Sequence, residues 1–376
     1  MNIGILTFHR SINYGSVLQT WALQHVLKKN GINSEVIDYE PRMYKLLYES
    51  NAINAVGIKS KIKKLLQFKK KTDKQHQMFE QFRDKELSIS AKKFFYDTTY
   101  DAYDNYDVII AGSDQIWNTN ISDCDPIYFL PFSFRGKKIA YACSINSGKA
   151  NDRYSKEWLR EKIKDFHCVS IREQSGVKKV VSLTDRDDIE NLPDPTLLLN
   201  RNDYSELIGN RIQDGKYIFM YNMWTKKEGL QLASIISKQL KMPVYTITNQ
   251  MDLIRIIKNM RYGIKTDMKH TSPSDFLNFI YNAEFVITDS FHGTAFSIVF
   301  NKQFVTINSR LENGEYKNDE RLNSLLQKLG LIDRFVKLDE VNSLDLNNEI
   351  NYEPVEKIRE SLSTEAEKWL LKAIFD

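Results

Sequence analysis

Hydrophobic positions along the chain switch repeatedly between a short, continuous spacing and a helical one. Asn2–Thr7 forms a short apolar run that predicts a buried strand, and His9–Gly15 a polar turn. Val17, Leu18, Trp21, Ala22, Leu23, Val26 and Leu27 then recur at helical spacing, with Asn30-Gly31 as the stop. A strand over Glu35–Tyr39 completes a βαβ unit, which predicts a parallel sheet covered by helices. From Tyr44 to about Glu86 the pattern changes to long polar helices, read as an insertion at about 44–86. It carries Lys59, Lys61, Lys63, Lys64, Lys69, Lys70, Lys71 and Lys74, interleaved with Ile62, Leu65, Leu66 and Phe68. Such a run is either a solvated helix face or a foot on an anionic membrane surface.

Short strands are expected again at Tyr106–Ala111, Lys138–Cys143, Cys168–Ile171 and Lys179–Leu183. Leu192-Pro193-Asp194-Pro195-Thr196 reads as a domain exit, because two prolines bracket an aspartate that can close a turn. A second series follows: strand Tyr217–Tyr221, helix Lys226–Leu240, strand Val244–Thr248, helix Ser274–Tyr281, strand Glu284–Thr288, a helix after Gly293 and strand Phe304–Ile307. A last helix over about Val355–Ala373 is placed to return to the first domain. The expected fold is α/β, with two Rossmann-like domains facing a central cleft: residues 1–200, residues 201–350, and a C-terminal helix over 351–376.

The run Phe285–Ser297 is the most informative stretch. It reads as a buried strand that breaks into a polar turn holding His292 and restarts as a helix. Backbone N–H groups and a helix dipole converge at such a turn, so a phosphate or carboxylate can bind there and His292 can exchange a proton with it. The plainer alternative makes Ser290 a helix cap and His292 a partner for a neighbouring loop. Similar polar turns follow other strands, at Asn13-Tyr14-Gly15-Ser16, Gly112–Asn118, Ser144–Gly148 and Ser170–Ser175, where ligands bind in open α/β sheets.

Composition narrows the classes of function. The chain has 376 residues, 42% hydrophobic and 27% charged, as in ordinary globular proteins of about two domains. Its formal charge of +4 is too small to imply a nucleic-acid partner. Three cysteines without CxxC spacing, Cys124, Cys143 and Cys168, indicate neither a zinc site nor a disulfide framework. The start Met1–Phe8 runs directly into a strand without the features of a signal peptide, and no apolar run is long enough to cross a bilayer. The expectation is a cytoplasmic protein, peripheral at the inner face of the cell membrane if the lysine run touches lipid. His25, His76, His167 and His270 have no companions at metal-ligand spacing, so no metal is expected.

Together these motifs resemble the polysaccharide pyruvyl transferase family. The matching segments are Thr7-Phe8-His9, Asn13–Leu23, Gly112-Ser113-Asp114-Gln115-Ile116-Trp117-Asn118, Ser170-Ile171-Arg172-Glu173, Asp194-Pro195-Thr196 and Asp289-Ser290-Phe291-His292-Gly293. They span nearly the whole chain in the family's order. The resemblance implies a fold similar to that of B-type glycosyltransferases. It also implies transfer of a pyruvyl group from phosphoenolpyruvate to a sugar of a bacterial surface polysaccharide, or its lipid-linked precursor, as a cyclic ketal. Phosphoenolpyruvate is then the donor substrate and no separate cofactor is needed.

The resemblance assigns His292 and Arg172 to catalysis, with Ser290, Gly293 and Thr294 beside them at the donor in the second domain. On the acceptor side it points to His9, Asn13, Tyr14, Gly15, Asp114, Trp117 and Asn118, with Trp117 offering its ring to a pyranose face. His9 and Trp117 also have structural readings, as a turn contact and as core. One departure stands out, since Ser290 occupies the place where many members carry an arginine. Arg310, Arg321 and Lys302 are the cations available to replace it. Two other readings stay open: a nucleotide-sugar glycosyltransferase of the same fold, and a non-catalytic glycan- or nucleotide-binding protein.

Overall fold

The computed structural model describes all residues except 42–73, 96–97, 99, 146–153, 223–226, 248–252, 309–310, 313–314, 317–318, 338–345 and 347. The first domain is built on a seven-stranded, all-parallel sheet in the order β3-β2-β1-β4-β5-β6-β7. Its strands are β1 (Ile3–Leu6), β2 (Ser34–Glu40), β3 (Ile89–Phe95), β4 (Val108–Asp114), β5 (Lys137–Cys143), β6 (Cys168–Ile171) and β7 (Ile189–Asn191). Among them run α1 (Tyr14–Lys29), α2 (74–86), α3 (Lys156–Lys164) and α4 (Gln174–Thr184).

In the second domain six parallel strands follow the order β10-β9-β8-β11-β12-β15. After α5 (Ser205–Ile208) come β8 (Ile218–Tyr221), α6 (Lys227–Leu240), β9 (Val244–Ile247), α7 (Leu253–Arg261) and β10 (Ile264–Asp267). Next are α8 (Pro273–Asn282), β11 (Phe285–Thr288), α9 (Phe291–Val299) and β12 (Gln303–Asn308). A small hairpin, β13 (Leu311–Glu312) and β14 (Glu315–Tyr316), precedes α10 (Glu320–Lys328), β15 (Phe335–Lys337) and α11 (Tyr352–Phe375).

Two expected elements differ. Lys179–Leu183 lies inside α4 rather than forming a strand, because Val177 and Val180 face the core from helical positions while Lys178 and Val181 are exposed. The helix expected after Gly293 starts earlier, at Phe291, with Ser290 as its cap, so His292 and Gly293 belong to its first turn. Of the lysine run, only Lys74 lies inside the described residues; the rest of the run falls outside them. No described helix is long and apolar enough to cross a membrane.

One apolar core joins the two domains. Residues of α1, including Tyr14, Val17, Trp21 and Leu23, pack in the same cluster as Phe219, Phe276 and Phe296 of the second domain. The Tyr14 ring stacks on Phe276 with centroids 4.9 Å apart, and Trp21 and Phe296 both contact Tyr204. This explains why α1 is buried nearly all round: one side meets the first sheet and the other meets the second domain. The last helix crosses back from the second domain to the first. Near its start Tyr352 donates to the Lys302 carbonyl; further on, Arg359 donates to the carbonyls of Leu197 and Leu199, and Ser363 to that of Leu198. At its far end the Ile374 carbonyl accepts from Lys137.

Candidate functional site

Parallel sheets present their ligand-binding turns at the carboxyl ends of their strands. Here those turns meet around one carboxylate that sequence reasoning took for a turn residue. Asp194 has 0% exposure and caps the short 3-10 turn Pro195–Leu197, its Oδ1 accepting from the Thr196 N–H and hydroxyl. Its other oxygen, Oδ2, accepts from Arg172 Nη1 at 2.9 Å, lies 3.0 Å from Ser113 Oγ, and faces His292 Nε2 at 3.6 Å. Burial alone would raise the pKa of Asp194, but His292, Arg172 and the Thr196 N–H together hold it well below the usual carboxylate range. Residues from β4, from the end of β6, from the domain exit and from α9 therefore converge on one group.

Arg172 follows β6 directly, with its guanidinium carbon 4.3 Å from the Phe291 ring centroid. Besides Asp194 it approaches Asp114 Oδ1 at 3.5 Å. Among the described residues its Nε has no hydrogen-bond partner, and neither does Glu173 Oε2, 3.9 Å from it. Burial pushes the Glu173 carboxyl up, against the pull of Arg172 and the Ile145 N–H. Asp114 is set at the end of β4 by a left-handed backbone, φ 72°, and accepts from Ser16 Oγ at 2.6 Å. Two residues before it, Gly112 has φ +129°, and a Cβ there would lie 2.1 Å from the Tyr141 carbonyl oxygen, so the turn requires glycine.

His292 meets the first domain through Gly15, at the start of α1. A Cβ on Gly15 would lie 1.9 Å from His292 Nδ1, so the imidazole occupies the space that a side chain would need. His292 Nε2 is buried and has no hydrogen-bond partner among the described residues. Arg172, Asp114, Gly15 and His292, all expected from sequence, are thus brought together. The pairing of Arg172 and His292 through Asp194 was not foreseen. Arg172, Asp194 and Phe291 also line a pocket whose remaining walls include Ser324 and Lys328 of α10 and Arg359 of α11.

Other expected site residues are committed to structural contacts. Trp117 has 0% exposure, stacks on Phe129 and donates to the Tyr128 carbonyl, so its ring fills the core and offers no face to a sugar. Tyr14 is equally enclosed, with its hydroxyl donating to the Thr271 carbonyl. Asn13 is spent as the N-cap of α1, and Asn118 closes its own turn with Gln115 and Asn120. His9 is buried against Asp38, which also binds Arg10, and so belongs to a separate cluster. Thr294 points into the second domain, donating to the Ser290 carbonyl or pairing with Thr306.

Ser290 caps α9 by accepting from the Gly293 N–H at 3.4 Å. Gly293 is required because a Cβ would lie 2.3 Å from Thr288 Oγ1. Among the cations named as substitutes for the missing arginine, Arg310 lies outside the described residues. Lys302 donates to the Ala283 carbonyl over the Tyr281 ring, at the amino ends of the second sheet's strands and away from the site. Arg321 is held by Asp319 through Nε and Nη2, and lies within electrostatic reach of Glu173 and Asp114. Among the described residues no group of three His, Cys, Asp or Glu side chains is arranged to hold a metal ion.

Solved structures share this architecture. The UDP-GlcNAc 2-epimerase from Neisseria meningitidis, bound to UDP-GlcNAc, is similar with a TM-score of 0.53 and 10% identity, over 99% of this chain and 100% of that one. The UDP-GlcNAc 2-epimerase from Methanocaldococcus jannaschii has a TM-score of 0.50 and 12% identity, over 99% and 100%. At such identities the likeness is one of fold, that of B-type glycosyltransferases and their relatives. No curated protein matches the sequence significantly. The family comparison reaches further, matching residues 13–310, which include Gly15, Asp114, Arg172, Asp194 and His292, and the chain belongs to the polysaccharide pyruvyl transferase family.

Proposed function

We propose that the protein transfers the enolpyruvyl-derived group of phosphoenolpyruvate to two hydroxyls of one sugar in a surface polysaccharide or its lipid-linked precursor, forming a cyclic ketal. The observation that carries this reading is the convergence of Arg172 and His292, from different domains, on the buried Asp194. In the reaction a proton adds to the methylene carbon of the donor and leaves a cationic carbon bearing the phosphate. One sugar hydroxyl adds there and gives up its proton. The second hydroxyl then displaces phosphate, and its proton leaves with that group. Protons consumed and released balance, so no oxidant, reductant or further co-reactant enters.

These steps need an acid–base group and a fixed cation. His292 suits the first, because Asp194 stabilises the imidazolium that forms when it takes a proton. Arg172 suits the second. Its Nη1 edge is committed to Asp194, while Nε lacks a hydrogen-bond partner among the described residues and is the edge left for a donor oxygen. Arg321 adds a second positive charge near Asp114 and Glu173. On this reading the reaction needs no metal.

The test is phosphate release from phosphoenolpyruvate with a surface-glycan oligosaccharide as acceptor, followed by mass spectrometry of the glycan. Release that depends on the acceptor, adds one pyruvyl unit and survives a chelator supports the assignment. Consumption of a nucleotide sugar in place of phosphoenolpyruvate sinks it in favour of glycosyl transfer.

A further inference from the structure

The outer edge of the second domain carries a surface that the cleft chemistry does not use. It is formed by α7, the edge strand β10 and the three residues after that strand. Ile257, Met260 and Met268 are 51%, 68% and 48% exposed there, three of the eight large exposed hydrophobics among the described residues. Interleaved with them are the exposed Lys258, Arg261 and Lys269, none of which forms an ion pair among the described residues; Lys265 points to the opposite face of the sheet, over the Tyr245 ring. The described acid nearest in sequence, Asp267, is turned into its own loop, accepting from the N–H groups of Lys269 and His270 and from His270 Nδ1. Ile257, Met260 and Arg261 share one helical face, while Asn259 turns inward to Thr266 and anchors α7 on β10.

We propose that this patch seats the protein on an anionic lipid bilayer. Apolar tips beside cations that form no ion pair among the described residues match an interface that is negative at the headgroups and apolar just beneath them. A second copy of the chain would bring like charges together. The patch also adjoins the lysine-rich insertion: α2, the described end of that insertion, places Met78 Sδ 3.3 Å from Thr271 Oγ1, three residues beyond Met268. Since Met268 follows the carboxyl end of β10, the surface reaches the rim of the cleft. The proposal concerns lipid binding alone and stands or falls independently of the donor.

The experiment is flotation of the full chain with vesicles of phosphatidylcholine alone or mixed with phosphatidylglycerol, at low and raised salt. Wild type should float with the anionic vesicles and lose binding as salt rises, because screening shortens the reach of the charges to about 10 Å at 0.1 M. Each cation at the surface is worth about a fivefold change in partitioning. The combined Lys258→Glu, Arg261→Glu and Lys269→Glu variant should therefore bind more than tenfold more weakly, with an unchanged thermal melt. Ile257→Ser with Met260→Ser should weaken binding severalfold, including the part that survives salt. Equal recovery from neutral and anionic vesicles overturns the proposal. So does wild-type binding by both variants, which would leave the lysines of the insertion as the contact.

Discussion

His9 and His292 each sit beside an aspartate paired with an arginine, yet the two clusters are built to opposite ends. His9 is buried with both ring nitrogens facing acceptors, Thr7 O at 3.2 Å and Asp38 Oδ1 at 3.1 Å, and burial lowers its pKa more than Asp38 raises it. Asp38 is in turn clasped by Arg10 through Nε and Nη2, each at 2.7 Å. His292 has no such closure. Its Nε2 stands 3.6 Å from Asp194 without a hydrogen bond, at the start of a helix and at the meeting of two domains. The same three residue types thus give a locked structural cluster in one place and an unfilled one in the other. Whether a histidine can pass a proton is decided by what its ring nitrogens already hold.

The largest effects should separate the two histidines. His292→Gln is expected to lower turnover about a thousandfold, within the usual contribution of proton transfer, while the donor KM moves little. His9→Gln should instead cost about 2 kcal/mol in urea unfolding, as the buried contacts of the ring with Asp38 and the Thr7 carbonyl are lost, and keep turnover within tenfold. Phosphate-release kinetics on both variants checks this. Equal losses of turnover would erase the distinction.

The two aspartates extend the test to pH. Asp38 and Asp194 are both held well below the ordinary range, by His9 and Arg10 in one case and His292 and Arg172 in the other, against the upward push of burial. A depressed folded pKa means that the stabilisation is complete above about pH 4 and fades as pH falls further. Asp38→Asn and Asp194→Asn should each cost about 3 kcal/mol at neutral pH and flatten the acid limb of stability against pH. Only Asp194→Asn should also slow turnover, by about a hundredfold. Loss of turnover in Asp38→Asn at intact stability would bring the His9 cluster into the reaction.

A smaller effect tests how His292 is seated. Gly15→Ala forces the imidazole aside, since the new Cβ would start 1.9 Å from Nδ1, and turnover should fall at least about tenfold. Gly31→Ala has nothing within 4 Å but a φ of +74°, so it should cost about 1 kcal/mol of stability and leave turnover alone. The least change is expected for Ser290→Ala, which removes a helix cap worth about 1 kcal/mol. A tenfold rise in donor KM there would make Ser290 a ligand of the donor.

Much of this molecule is legible in its sequence, for identifiable reasons. Buried parallel strands such as Val108–Ala111 and Phe285–Thr288 are continuous apolar runs, and α1 and α8 carry their own caps in Asn13 and Ser272. The stretch Lys179–Leu183 misleads because a short apolar run has no period long enough to tell strand from helix. β10 and β15 are short edge strands with half-polar patterns that give little signal. The site divides in the same way. Arg172 and His292 stand out as charged or titratable groups just after buried strands. Asp194 does not, because Asp-Pro reads fully as a turn, and one of its oxygens is indeed used for that. Nothing local reports that the other oxygen meets His292 or that Gly15 makes room for it, since those contacts exist only once the domains have docked.

The returning helix α11 has a consequence for the order in which the chain is made. The carbonyls of Leu197, Leu198 and Leu199, at the end of the first domain, find their partners in Arg359 and Ser363. Lys137 closes the end of the same helix at Ile374. A ribosome must therefore release the chain as far as α11 before the domain synthesised first can be finished. Until then the leucines of residues 197–199 stay on offer to any chaperone that guards unfinished chains.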